Sequence, residues 1–414
     1  MEFNFLGRAF KGDKVIWYIF MALCIISLLE VFSATSTIAY RQQNHWAPIF
    51  RHAVFLLIGF GVVMFLQRVP SRYFSILLLG IPISAILLII TMFMGEDING
   101  AQRWLGVGAF TIQPSEFAKI SAIGFVAFFL SKMNTDNESW IFKTLIIGVG
   151  AMCLLIAPEN LSTACLLFGV CFLMMFIGQV SLKKLGLVAF AGIATVGLLL
   201  GILTMLPDSS KEFLPDRLAT WKGRIERHAD NDQVSIFDRN QDGTLAYKIV
   251  DENFQVSHAK IAIANGGVIG LPGSGTERDF LPQAYSDFIF AIILEEMGLI
   301  GGLFVLLLYI VLMIRCGTLA SKCEKKFPRY LILGAGLMLT IQALANMAVA
   351  VNLIPVTGQP LPLISRGGTS TIITCAYFGI ILACSSKLND SAHEDVDESI
   401  ANVDFETFDS VREE

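Results

Sequence analysis

Apolar runs of about 17 to 25 residues recur along this chain, each long enough to cross about 30 Å of hydrocarbon at about 1.5 Å per residue. Ten of them lie near residues 16–36, 52–68, 74–95, 115–131, 140–157, 161–178, 184–206, 295–314, 330–351 and 369–386. With 54% hydrophobic and 16% charged residues over 414 positions, the chain carries more apolar surface than a soluble core can bury. The expectation is an all-α polytopic membrane protein of about ten transmembrane helices, with one large extracytoplasmic loop over residues 207–286. The first apolar run is followed by no small-residue cleavage site and reads as a retained helix rather than a removed signal.

Positive charge is retained on the cytoplasmic side of short connections, so Lys and Arg fix the orientation. With the N-terminus inside, the inner segments hold sixteen cations, among them Arg68, Arg72, Lys183, Lys184, Arg315 and Arg329. The short outer ones hold five: Arg41, Arg51, Arg103, Lys119 and Arg366. Both termini are therefore expected in the cytoplasm. The membrane domain is expected to end near Lys387, because the last 27 residues hold ten acids against Arg412 alone. That segment contributes −9 to a net charge of −5, leaving +4 on the body, and reads as a disordered acidic cytoplasmic tail over 388–414. The eight cysteines show no metal-ligand spacing and read as small buried hydrophobes.

Polar residues gather at the outer ends of the spans. SDFIFAIILEEMGLIGG, Ser286 to Gly302, carries Asp287, Glu295 and Glu296. A single helix from Asp287 to Ile314 would be about 42 Å long, too long for the hydrocarbon without strong tilt. Phe288 to Leu294 therefore reads as a short interfacial or re-entrant segment headed by Asp287, with Glu295 and Glu296 structural. NGAQRWLGVGAFTIQPSEFAKI, Asn99 to Ile120, sets Pro114 at a helix start and places Glu116 and Lys119 on one helical face. Charges at that depth need a partner or a wet cavity. GQPLPLISRGGTS, Gly358 to Ser370, adds Arg366 just before the last span.

The NGAQRWL and QPSEFAK runs, GGVIGLPGSG leading into LPQAYSDFIFAIILEEMGLIG, and PVTGQPLPLIS followed by Gly-Gly resemble the SEDS family of polytopic cell-wall polymerases. The early KGDKVIW and EVFSATS segments resemble its division branch, FtsW, more than its elongation branch, RodA. The resemblance implies a peptidoglycan glycosyltransferase that polymerises lipid II on the outer face of the cytoplasmic membrane, acting at the division septum. It implies as partners a cognate class B penicillin-binding protein and other divisome membrane proteins, and no nucleic acid. It maps the family's essential aspartate onto Asp287 and the acid and lysine of its fourth span onto Glu116 and Lys119. Two positions depart from the family pattern: Asn160 stands where an aspartate is usual, and Arg366 interrupts a Ser-Tyr-Gly-Gly run.

Joining two sugars requires removing a proton from an acceptor hydroxyl while a polyprenyl diphosphate leaves the anomeric carbon, which calls for one base and some positive charge. Asp287 is the candidate base. Lys119, Arg103 and Arg366 are candidates for the diphosphate, with Glu116 beside Lys119 as either a substrate contact or a local ion-pair partner. No resident cofactor is called for, and a divalent cation stays open as an aid to the diphosphate. Two other classes compete: a lipid II flippase, whose polar sites belong near the bilayer midplane, and a non-catalytic divisome scaffold.

Three local patterns resemble sites without completing them. GGVIGLPGSG has no following Lys-Ser and reads as a flexible outer turn. DRNQDG, Asp238 to Gly243, begins like a calcium loop, but position twelve is Ile249 rather than a glutamate, so it reads as a turn or weak cation site. Trp221 amid Lys222, Arg224 and Arg227 reads as an interfacial helix.

Overall fold

The structure, a computed structural model, describes residues 10–34, 47–98, 101–107, 110–205, 223, 253–271, 275–277, 280–281 and 285–386. The acidic tail, the DRNQDG turn and the Trp221 segment lie outside the described residues.

Ten helices correspond to the ten expected spans. They are α1 (Lys14–Ala34), α2 (Ala47–Leu66), α3 (Leu77–Met94, entered through a 3-10 turn at Ser71–Ile76), α4 (Pro114–Ser131), α5 (Glu138–Ile156), α6 (Leu161–Ile177) and α7 (Leu182–Met205). After α8 (Phe254–Gly266), a helix of the long connection, come α9 (Ile289–Lys322), α10 (Lys326–Ala350) and α11 (Thr369–Ser386). Among the described residues eight helices are long and apolar enough to cross a membrane; α6, at 17 residues, falls just short of that length. The chain is a multi-pass membrane protein.

Local chemistry sets where several helices begin. Asp13 caps α1, its Oδ1 accepting from the N–H groups of Val15 (3.0 Å) and Ile16 (3.2 Å). Pro114 opens α4, where its missing N–H costs nothing. Asn160 caps α6 by accepting from Thr163 N–H at 3.2 Å. An amide oxygen serves that cap as a carboxylate would, so the departure at Asn160 keeps the helix start intact.

Helices α4, α10 and α11 form the centre and are mostly buried, whereas α2 and α3 expose broad apolar faces of the kind a bilayer covers. α4 packs against α3 and α10, while α10 also meets α6 and α9. Small side chains permit these approaches, as where Gly80 of α3 lies over Ser121 of α4.

The long helix α9 is broken at Gly298, with φ 68° and ψ −173°, a backbone region that only glycine enters readily. The expected division of this stretch is therefore present, but it falls three residues beyond Glu295 and leaves both glutamates on the first piece. Laid across the break is the glycine-rich stretch at the end of α8. Leu299 and Ile300 donate their N–H groups to Gly267 O (3.0 Å) and Val268 O (3.2 Å). A Cβ added at Gly266 would stand 1.8 Å from Leu294 O, and one at Gly270 2.4 Å from Glu296 O. Residues 266–271 thus form a backbone-on-backbone strap, and the expectation of a flexible outer turn gives way to a packed one.

Between α3 and α4 the connecting loop adds a small antiparallel sheet in the order β1 (Glu96–Ile98), β2 (Ala101–Val107), β3 (Phe110–Ile112), the one sheet among the described residues. Glu96 pairs with Trp104 and Leu105 with Ile112.

Candidate functional site

Asp287 sits, half-buried, in the turn that leads into α9, and its Oδ1 accepts from Ser286 Oγ at 3.0 Å. The turn is held through its main chain. Three successive carbonyls are each engaged by a residue from the last quarter of the sequence: Tyr285 O accepts from Arg366 N–H (2.9 Å), Ser286 O from Ser365 Oγ (2.6 Å), and Asp287 O from Asn346 Nδ2 (2.9 Å). Main-chain anchoring of this kind fixes the Cα–Cβ direction of Asp287. Behind it, Phe288 to Leu294 are all buried, so the first piece of α9 is seated in the protein rather than in lipid.

The loop that supplies two of these donors is itself constrained. Ser365 Oγ accepts from Leu361 N–H at 2.8 Å, and Pro362 O accepts from Tyr309 OH at 2.5 Å. Ile364 O accepts from Ser27 Oγ, which also pairs with His52 Nε2 at 2.7 Å. Leu363 is buried with φ 69°, a left-handed conformation costly for a branched side chain and sustained by these surrounding contacts.

Arg366 lies with its guanidinium 5.4 Å from the centre of the Tyr285 ring. Burial pushes its pKa below the ordinary arginine value; Tyr285 opposes that shift, and the like charge of nearby Arg51 adds to it. Two guanidinium charges close enough to repel favour an anion nearby.

Glu116 and Lys119 occupy the first turns of α4, where a carboxylate also meets the positive end of the helix. Lys119 Nζ stands 2.7 Å from Glu116 Oε1 and donates to Gln342 Oε1 at 2.8 Å, and its side chain has no exposed surface. Gln342 in turn donates to Pro360 O at 3.0 Å. The pair is therefore coupled to the Arg366 loop from below and, as placed, offers no face to an incoming substrate.

Arg103 lies on β2. The sheet it belongs to is tied to the start of α11, three residues beyond Arg366, by Thr369 Oγ1 donating to Thr111 O at 3.2 Å. Glu295 and Glu296 do mechanical work. Glu295 Oε1 accepts from the N–H groups of Thr276 (2.9 Å) and Glu277 (3.1 Å), and Glu296 accepts from Ser33 Oγ of α1. Among the described residues no three His, Cys, Asp or Glu side chains converge as a metal site requires.

Sequence reading singled out the charges and missed the amides. Gln342 and Asn346 lie four apart on α10, hence on one face, and polar side chains at that spacing inside an apolar span are a signal that was available. Arg51 was counted only for orientation; its approach to Arg366 is a tertiary fact.

Residues 13–390 match the family model FTSW_RODA_SPOVE, described as a cell cycle protein. The stage V sporulation protein E of Bacillus subtilis (strain 168) is 30% identical over 386 residues, covering 90% of this chain and 96% of that one. A probable peptidoglycan glycosyltransferase FtsW of Haemophilus influenzae is 31% identical over 383 residues, covering 89% of each. Among solved structures, a chain of a peptidoglycan synthase complex superposes with a TM-score of 0.70 at 23% identity, over 91% of this chain and 98% of that one. Thermus thermophilus RodA superposes with a TM-score of 0.60 at 22% identity, over 90% and 96%. With the family's model spanning nearly the whole membrane body, the chain belongs to the FtsW/RodA/SpoVE family.

Proposed function

We propose that this protein is a peptidoglycan glycosyltransferase that polymerises lipid II into glycan strands during cell division. The observation that carries the reading is the anchored turn, which presents Asp287 beside the cationic Arg366 loop, at the end of a span rather than at its middle. In this reaction the Asp287 carboxylate takes the proton of the acceptor sugar hydroxyl as that oxygen attacks the anomeric carbon of the donor. The bond from that carbon to the diphosphate oxygen breaks, and polyprenyl diphosphate leaves with the electron pair. Diphosphate is a good leaving group, so a partner acid of the glycosidase type is dispensable.

Arg366 and Arg51, with Arg103 on the neighbouring sheet, are the groups we assign to the diphosphate. The buried Glu116–Lys119 pair serves the site by holding the Arg366 loop through Gln342 rather than by touching substrate. The distribution of Lys and Arg supports cytoplasmic termini and chemistry on the outer face of the inner membrane, and the division branch supports enrichment at the septum. The partner we assign is a class B penicillin-binding protein that cross-links the new strands.

The deciding experiment incubates the purified protein, alone and with that transpeptidase, with lipid II and resolves the products on a gel. Glycan ladders are expected. Unchanged lipid II in both reactions, from folded protein, overturns the reading.

A further inference from the structure

We propose that Asn346 is a positioning residue for the reaction, acting through the main chain of Asp287. This rests on the glycosyltransferase reading above and extends it to a residue that touches no reacting atom.

Asn346 lies on α10 and is fully buried. Its Nδ2 has two hydrogens and two acceptors: Asp287 O at 2.9 Å and Gln359 O at 2.8 Å. One amide therefore joins the turn that carries the proposed base to the loop that carries Arg366. The hydrogen-bond chain continues outward, because Gln359 Nε2 donates to Thr163 Oγ1 at 2.6 Å and Thr163 N–H donates to the capping oxygen of Asn160. One helical turn earlier on α10, Gln342 makes the parallel connection from Lys119 to Pro360 O.

The need for such a group follows from where α9 begins. Ala291 N–H and Ile292 N–H both reach back to Phe288 O, and Phe288, the residue at the cap, makes no side-chain cap hydrogen bond. The Asp287 carbonyl lies one residue before that first helical acceptor and takes its hydrogen bond from α10 instead. Without the Asn346 donor a part-buried carbonyl loses that partner, which favours rotation of the peptide plane toward another one. Rotating that plane swings the neighbouring Cα–Cβ bond. A displacement of about 1 Å at a reacting group costs on the order of 100-fold in rate while leaving remote substrate contacts in place.

A residue that merely supports folding and one that aims the base predict different kinetics. Asn346→Ala should lower kcat for lipid II polymerisation by about 10- to 100-fold per folded molecule, with KM changed by less than about twofold. Asn346→Ser, which keeps one donor for one of the two carbonyls, should fall between the alanine variant and wild type, and it decides by the same split if the alanine variant does not fold. Each is compared with wild type at matched folded fraction, judged by size-exclusion profile and thermal unfolding. Equal kcat in folded variant and wild type overturns the proposal, as does a loss confined to KM. Failure of wild type to form glycan under the same conditions would instead count against the polymerase reading.

Discussion

Lys119 and Glu116 form an ion pair of 2.7 Å in which the lysine side chain has no exposed surface and the glutamate almost none. Removing one partner of a buried pair leaves an uncompensated charge, at a cost of about 3–5 kcal/mol. Lys119→Met should therefore lower thermal stability and polymerisation together. Adding Glu116→Gln should restore more than half of both, because the orphaned carboxylate is gone. An inactive double variant with recovered stability would show that the ammonium itself meets the substrate.

Asp287→Asn preserves size and hydrogen-bonding shape while removing the base. Glycan synthesis should fall by about 100- to 10,000-fold, the range general base catalysis contributes. Membrane insertion and thermal unfolding should stay near wild type, since three main-chain carbonyls of the turn keep their hydrogen bonds in this variant. Near-normal ladders from this variant would remove Asp287 from the role of base.

Gly298 and Gly270 approach so closely that a Cβ on Gly298 would stand 2.5 Å from Gly270 N. Gly298→Ala adds that collision to a backbone strain of about 1–3 kcal/mol. The strap over the helix break should lift, and limited proteolysis around residues 266–271 should quicken at least severalfold. Cleavage at the wild-type rate would show that the strap does not depend on this contact.

Asp13 joins the start of α1 to the last part of α9, accepting from Arg315 Nε at 3.0 Å and from a second guanidinium nitrogen at 2.5 Å. Burial works to raise its pKa, but the Arg315 hydrogen bond, the N–H groups of Ile16 and Val15 and the guanidinium charge together hold it below the ordinary value. A carboxylate with a depressed folded pKa stabilises above its unfolded value, near 3.9, and loses that contribution as pH falls through the folded one. Because Arg315 is one-third exposed, solvent screening holds the contribution to about 1 kcal/mol or less. The difference in unfolding temperature between wild type and Asp13→Asn should be clear at pH 7 and shrink steadily below about pH 4. A gap that is constant with pH would assign the effect to packing instead.

The membrane-spanning helices and the division of α9 follow from the sequence, because each is set by local quantities. An apolar run has a length, Pro114 opens a helix, and a 28-residue stretch headed by Asp287 exceeds the bilayer. Family motifs singled out Asp287, Glu116 and Lys119 for the same reason, their identities being written in short contiguous runs, and Arg366 stood out as a cation just before the last span. What the tertiary structure alone decided was how those runs meet. Asn346 reaches Asp287 across 59 positions, and Ser365 reaches Ser286 across 79. Neither amide nor hydroxyl carries a charge that would draw attention in an apolar helix or a loop rich in turn residues. Gly266 and Gly270 looked pliable in sequence because glycine permits many conformations, yet here their missing side chains let one backbone lie directly on another. Partner choice over such distances depends on the packing of whole helices, a sum over many weak contacts that no local window contains.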